Sequence, residues 1–224
     1  PDAPAATGGW VGDGGQPCHE NAPPARAAGR FPGRADAPDP TTAGLSRADA
    51  TDIFLSQLTS RQMDRLSRHL QARGEGFYTI GSSGHEGNAA VAAALRVTDM
   101  AFLHYRSNAF QLHRARQVPG QTPTWDMLLS FAASSEDPIS GGRHKVIGSR
   151  PLNIPPQTST IASHLPKAVG AAFSIGIARR LGMAGLPLPD DAIVLTRFGD
   201  ASANHSTAQG AFNTAGVAEV QGLS

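Results

Sequence analysis

In the stretch FGDASANHSTAQGAFNTA, residues 198–215, a carboxylate, Asp200, follows Gly199 at the end of an apolar run spanning 192–198. In open α/β sheets, ligands collect beyond the carboxyl ends of the strands, where the next helix begins. Gly199 permits close backbone approach, and the N–H groups of Ala201, Ser202 and Ala203 would face outward at a helix N-terminus, where the dipole attracts phosphate. A carboxylate beside a phosphate repels it unless a cation lies between them. A Gly-Asp tip therefore reads as a diphosphate site bridged by Mg²⁺, with Asp200 as the protein ligand. The same spacing also fits Asp200 as a plain helix N-cap, and on spacing alone the cap is the commoner outcome.

Two further polar clusters bear on that choice. HYRS at 104–107 places Tyr105 and Arg106 at the head of a helix, and the arginine fork suits bidentate contact with phosphate. QTSTIASHLPKAVGAA at 157–172 puts a run of hydroxyls just before a helix, where they serve a phosphate oxygen, a monovalent cation or simple capping. The eight histidines show no metal-ligand spacing, and SGHEG is not H-E-x-x-H. No nucleophile elbow, G-x-G-x-x-G or P-loop fingerprint follows the strand at 192–198.

The elements that must hold these residues are mostly helical. Leu55, Leu58, Met63, Leu66 and Leu70 recur at helical spacing from Ser46 onward, predicting one helix or two in series with that set as its packed face and Gly74 as its cap. Further helices are expected over 88–96, 106–117, 124–133 and 164–182, with loops at 81–87 and 135–157. At least one buried strand among helices argues an α/β layer rather than a bundle. Residues 217–223 read as the opening of a next element, and the chain begins with Pro rather than Met. The expectation is a fragment, incomplete at its C-terminus.

Composition narrows the function classes. Nineteen basic residues against eighteen acidic ones give no electrostatic footprint for nucleic acid or a membrane surface. A single cysteine, Cys18, excludes an internal disulfide and suits a reducing compartment; with no signal peptide in view, a cytoplasmic location is expected. Residues 1–44 hold eight Pro and eight Gly, with Trp10, Val11 and Phe31 as their large apolar side chains. Such a segment buries too little to offset its ordering entropy and reads as a disordered low-complexity tail, or, less readily, as a partner-binding arm around Trp10.

Together GEGFYTIGSSGHEGNAAVAAAL, HYRS, GGRHKVIGS, STIASHLPKAVGAA and FGDASANHSTAQGAFNTA, in this order from about Arg73 on, resemble the alpha subunit of the thiamine-diphosphate-dependent 2-oxo acid dehydrogenases, nearest the branched-chain type. The resemblance implies the thiamine-diphosphate-binding fold, a parallel sheet flanked by helices, with residues 45–224 forming the N-terminal part of the diphosphate-binding domain. It implies oxidative decarboxylation of a 2-oxo acid with acyl transfer to a lipoyl carrier, thiamine diphosphate and Mg²⁺ as cofactors, and two partners: a beta subunit or fused beta-like half, and a lipoyl-bearing acyltransferase. By position, Tyr105 and Arg106 match residues at the cofactor's diphosphate end, and Ser159 and Ile161 match cofactor-lining residues. Gly199 and Asp200 match the diphosphate motif, with Asp200 the first magnesium ligand, and Ala201 and Ser202 match its backbone donors. Thr158, Thr160 and Ser163 fall where some relatives bind K⁺. No catalytic residue is carried over, because the glutamate that activates the cofactor belongs to the beta partner; Glu75 and Glu86 read as surface or capping residues.

Two positions depart from the family pattern. Ala201 replaces a glycine in the diphosphate motif, and His164 stands where a glutamine serves the K⁺ site. The family's later asparagine ligands fall beyond Ser224, so this stretch alone is expected neither to turn over substrate nor to hold the cofactor tightly. The alternatives are a pyruvate or acetoin dehydrogenase alpha subunit, a fused alpha-beta enzyme, or a truncated non-catalytic scaffold paired with a beta-like chain.

Overall fold

The structure, a computed structural model, describes residues 39–77, 80–183, 188–189 and 191–222. The readings of the tail over 1–38, including Trp10 and Cys18, lie outside these residues. The chain divides into two units, 1–44 and 45–224. Of the first unit, Pro40–Ala43 is a 3-10 turn whose N-cap, Asp39, accepts from the Thr41 N–H at 2.8 Å, a local order that composition did not anticipate.

The second unit opens with one long helix, α1 (Arg47–Ala72). A capping box starts it: the Ser46 hydroxyl accepts from the Asp49 N–H (3.1 Å), and the Asp49 carboxylate accepts from the Ser46 N–H (2.9 Å). Gly74, at φ +73, ends it in the left-handed conformation expected of a glycine just past a helix. The packed face differs from the expected one. Met63 is buried, but Leu55, Leu58 and Leu66 are 41–43 % exposed, while Ser56, Ser60 and Ser67 face inward. Small side chains on that face let α1 approach the alanine-rich helices α2 (Asn88–Ala93) and α3 (Asn108–Ala115), where Ile53, Ala89 and Ala109 form one cluster and Ser56 Oγ meets His113 Nδ1 at 3.2 Å. Volume and close approach outrank hydrophobicity here.

Between α2 and α3 lies β1 (Met100–Phe102), and α4 (Pro123–Phe131) follows. The expected loop over 135–157 instead contains an antiparallel pair, β2 (Ile147–Ser149) and β3 (Ile154–Gln157). Pro155 and Pro156 conceal β3 in the sequence, since proline in an apolar run argues against a strand. Gly148 is required there, because a Cβ would stand 2.9 Å from the Pro156 Cα. After α5 (His164–Arg180), β4 (Val194–Thr196) pairs in parallel with β1, matching Met100 to Val194 and Phe102 to Thr196. A 3-10 turn, Asp200–Asn204, and α6 (Ser206–Val220) complete the unit. Residues 217–220 end that helix rather than opening a new element. The fold is thus mixed, helices around a small parallel sheet, and among the described residues no helix is long and apolar enough to cross a membrane.

Asp99 fixes the strand pairing. Its buried carboxylate accepts from the Ile193 N–H (3.1 Å), just ahead of β4, and from the N–H and guanidinium of Arg96. Its carbonyl accepts from Arg114, which is fully buried, also reaches the Leu152 carbonyl and lies over the Phe110 ring. Leu103, Phe110, Ile147, Leu152 and Ile154 close the main core around these groups. Burial pushes the Asp99 carboxyl up, but Arg96 and the two backbone donors together hold it below the usual carboxylate range. Its contribution is therefore fully present above the unfolded carboxylate value and lost on acidification. Asp99→Asn should cost about 1–3 kcal/mol in urea unfolding near neutral pH, with the gap to wild type closing below about pH 4; a pH-independent difference would show that the charge is not what matters.

Candidate functional site

Parallel pairing carries two distant segments to one end of the sheet. The Arg197 N–H continues the ladder to the Phe102 carbonyl (2.9 Å), so residues 103–106 after β1 and 197–200 after β4 emerge side by side. His104, buried, occupies the seam: a Cβ on Gly199 would lie 3.5 Å from its Nε2. Its Nδ1 accepts from the Arg106 N–H at 3.3 Å, which places the proton of the neutral ring on Nε2, facing the Gly199 turn. Burial, reinforced by the charges of His85, His164, Arg106 and Lys145, pushes His104 down to about 3.

A third segment, the loop at 80–87, closes over this seam. His85 stacks on His104 with ring centroids 5.0 Å apart and planes at 15°. Burial lowers its pKa, and Arg106 and Arg197 lower it further. The loop is held by three charged groups. Asp64 on α1 accepts from Ser82 N–H and Oγ–H, Arg106 donates to the Gly81 carbonyl (3.2 Å), and Lys145 donates to the Ile80 carbonyl. Burial depresses Lys145 to about 8. Tyr105 stacks against His104 at 4.0 Å, with Arg106 and Lys145 each 5.6 Å from its ring centroid. Tyr105 and Arg106 thus pack with His104, His85 and Lys145, three residues that sequence reasoning did not single out.

Asp200 sits exposed at the start of the 3-10 turn and caps neither following helix. The N-cap of the turn is Gly199, and that of α6 is His205, whose Nδ1 accepts from the Thr207 N–H. The capping reading of Asp200 therefore falls. Ser202 is buried, and its N–H is donated to the Gly199 carbonyl (2.9 Å), which removes it from the expected pair of backbone donors and leaves Ala201. Gly199 has φ −78, so the substitution of Ala201 for the family's glycine sits beside ordinary backbone, with no positive φ at either residue.

The hydroxyl segment before α5 reaches the same end of the sheet through His164, whose Nε2 meets the Arg197 carbonyl at 2.7 Å. Within it, Thr158 and Thr160 bond to each other (2.9 Å), and the Ser163 hydroxyl donates to the Thr160 carbonyl and accepts from Gln157. Their oxygens are thus engaged with one another. Ser159 is half-buried and Ile161 is 43 % exposed. At the tip of β4, three buried polar atoms (Thr196 Oγ1, Arg197 Nε and His164 Nδ1) find no hydrogen-bond partner among the described residues. Orphaned buried polar atoms of this kind mark a place where a polar ligand or water is wanted. A carboxylate without a hydrogen bond or ion pair among the described residues, Arg197 three positions before it, Arg106 on the adjoining segment, and these orphans together fit a cation-bridged diphosphate. Glu86 bridges to Arg61 (3.2 Å) and Glu75 to Arg73 (2.7 Å), structural pairings in both cases.

Residues 55–222 match the family described as Dehydrogenase E1 component, and the chain belongs to that family. It is similar to the 2-oxoisovalerate dehydrogenase subunit alpha 2, mitochondrial, of Arabidopsis thaliana, with 29 % identity over 178 residues, 78 % of this chain and 34 % of that protein. It is also similar to the 2-oxoisovalerate dehydrogenase subunit alpha of Bacillus subtilis (28 % over 179 residues, 78 % of this chain and 49 % of that one) and of Mus musculus (26 % over 177, 78 % and 36 %). The chain spans between a third and a half of the length of these relatives.

His104 supplies a check on the seam. Its folded pKa, about 3, lies below the ordinary histidine value of 6.5, so its burial contributes stability fully present above about pH 6.5 and lost as pH falls toward 3. In a pH titration followed by two-dimensional NMR, its ring signals should hold their neutral positions down to about pH 4. A His104 midpoint near 6.5 would mean that the seam is open to water.

Proposed function

We propose that this chain, as a member of the Dehydrogenase E1 component family, is the alpha-type part of a thiamine-diphosphate-dependent 2-oxo acid dehydrogenase. The observation that carries the reading is Asp200, an exposed carboxylate that caps no helix at the carboxyl end of a parallel strand pair, next to the Gly199 turn that packs against His104 of the segment carrying Tyr105 and Arg106. In this role Asp200 holds Mg²⁺ against the diphosphate, the Ala201 N–H donates to it, and Arg106 neutralises its charge. Tyr105, gripped by His104 and the two cations, orients the diphosphate end. Ser159 and Ile161 line the cofactor, and the exposure of Ile161 is explained by an apolar surface waiting to be covered. Thr158, Thr160 and Ser163 form a K⁺ site only if their mutual bonds open.

When bound, thiamine diphosphate supplies the ring that accepts the electron pair released on loss of carbon dioxide. This chain's own residues bind, orient and neutralise. The substrate we assign is a branched-chain 2-oxo acid, because the relatives named above are 2-oxoisovalerate dehydrogenase alpha subunits. The partners that follow are a beta-type chain or half and a lipoyl-bearing acyltransferase.

Titration calorimetry on the chain assembled with a beta-type subunit tests the reading. Thiamine diphosphate should bind only with Mg²⁺, and Asp200→Asn should weaken it by about 100-fold, equivalent to ~2.7 kcal/mol. Arg106→Met should weaken binding while leaving the Mg²⁺ requirement intact. Unchanged, Mg²⁺-dependent binding in the Asp200→Asn protein would remove Asp200 from the site.

A further inference from the structure

Helix α1 buries Ile53 and Met63 but carries four further large hydrophobic side chains outward. Phe54 is 59 % exposed and Leu55, Leu58 and Leu66 are 41–43 % exposed. At 100° per residue these four share one arc of the helix, and Arg47, Arg65, Arg68 and His69 fall on the same arc or its margin. All four of these basic residues are exposed, and the three arginines make no ion pair among the described residues. The helix's acids are elsewhere: Asp49 is held in the capping box, Asp52 pairs with Arg116, and Asp64 is buried under the 80–87 loop. The outward arc itself is therefore apolar and cationic, with the half-exposed Asp52 at its margin neutralised by Arg116. Along its Leu55 edge runs a groove of about 250 Å³, bordered by Thr59, Leu112, Arg116 and Pro123.

We propose that this face of α1 is a docking surface for an acidic amphipathic helix of a partner protein. Leucine-type side chains of the partner cover Phe54, Leu58 and Leu66, with one entering the groove beside Leu55. Flanking carboxylates meet Arg65 and Arg68, whose planar forks suit them. Charge decides against a second copy of the chain, since α1 laid on α1 sets arginine against arginine with no acid on the arc to relieve it. A lipid surface fits less well, because insertion several ångströms deep needs a segregated apolar sector, whereas here arginines interleave with half-exposed leucines. The inference stands on this face alone and does not depend on the cofactor assignment.

The test uses the whole chain and a fluorescent synthetic peptide of about twenty residues, helical, with leucines at i, i+3, i+4 and i+7 and glutamates flanking them. A matched peptide has lysines in place of the glutamates. The glutamate peptide should bind by fluorescence anisotropy, more weakly at about 0.5 M salt, and the lysine peptide should not. Leu58→Glu should weaken binding at least tenfold, and Arg65→Glu with Arg68→Glu should invert the preference toward the lysine peptide. Circular dichroism of each variant confirms that the helix is intact. Equal binding of both peptides, binding of neither, or indifference to these substitutions overturns the proposal. So does a dimer in sedimentation that Leu58→Glu dissociates, which assigns the face to a second copy. Binding to phosphatidylserine vesicles with no peptide preference assigns it to lipid.

Discussion

Three residues of parallel pairing between β1 and β4 hold together segments that lie more than ninety positions apart in the chain. So short a ladder specifies little by itself, because a one-residue slip would exchange the faces of every side chain in it. Asp99 removes that freedom. One carboxylate oxygen receives the N–H of Ile193 ahead of β4, Arg96 donates to both oxygens, and the residue's carbonyl is tied through Arg114 to the turn between β2 and β3. Every later feature of the site inherits this register. If β4 moved by one position, Gly199 would leave His104.

The electrostatics around the tip follow from what is buried and what is not. His104, Lys145 and His85 all have lowered pKa values, and burial is the first cause in each. A desolvated cluster of basic groups suits a ligand with several negative charges, with neutral His104 at its floor and the cations Lys145 and Arg106 around it. Asp200 would oppose such a ligand, unless a cation sits between them. In the proposed reading, that exposed carboxylate makes the site a cation-bridged one. The loop at 80–87 belongs to the same design, since Asp64, Arg106 and Lys145 each hold one of its residues and so couple α1 and the region after α4 to the strand tips.

Much of this was legible in the sequence, for identifiable reasons. The helices α1, α5 and α6 announce themselves by length and by caps such as Ser46 and Gly74, and the strand tip by an apolar run that stops at Gly-Asp. That the segments after β1 and β4 run side by side is a matter of pairing, which no local pattern encodes. β1 is too short to show alternation, and β3 hides behind two prolines. The inward face of α1 was misread because its leucines satisfy a helical period that the structure gives to serines. His85 and His104 looked scattered because stacking across 19 residues leaves no spacing signature. A faint signal was present in that each lies beside a residue of a quoted motif, and both motifs emerge at one end of the sheet.

The central claim is that Asp200 anchors a cation-bridged diphosphate at the joined strand tips. Paramagnetic broadening by Mn²⁺, added with thiamine diphosphate to the isotopically labelled chain, tests it most directly because it registers weak as well as tight occupancy. The account predicts selective broadening of the amide signals of Gly199 and Ala201 and of the His85 and His104 rings, dependent on thiamine diphosphate and abolished by Asp200→Asn. Broadening that persists in that variant, or that falls on residues remote from the strand tips, would contradict it.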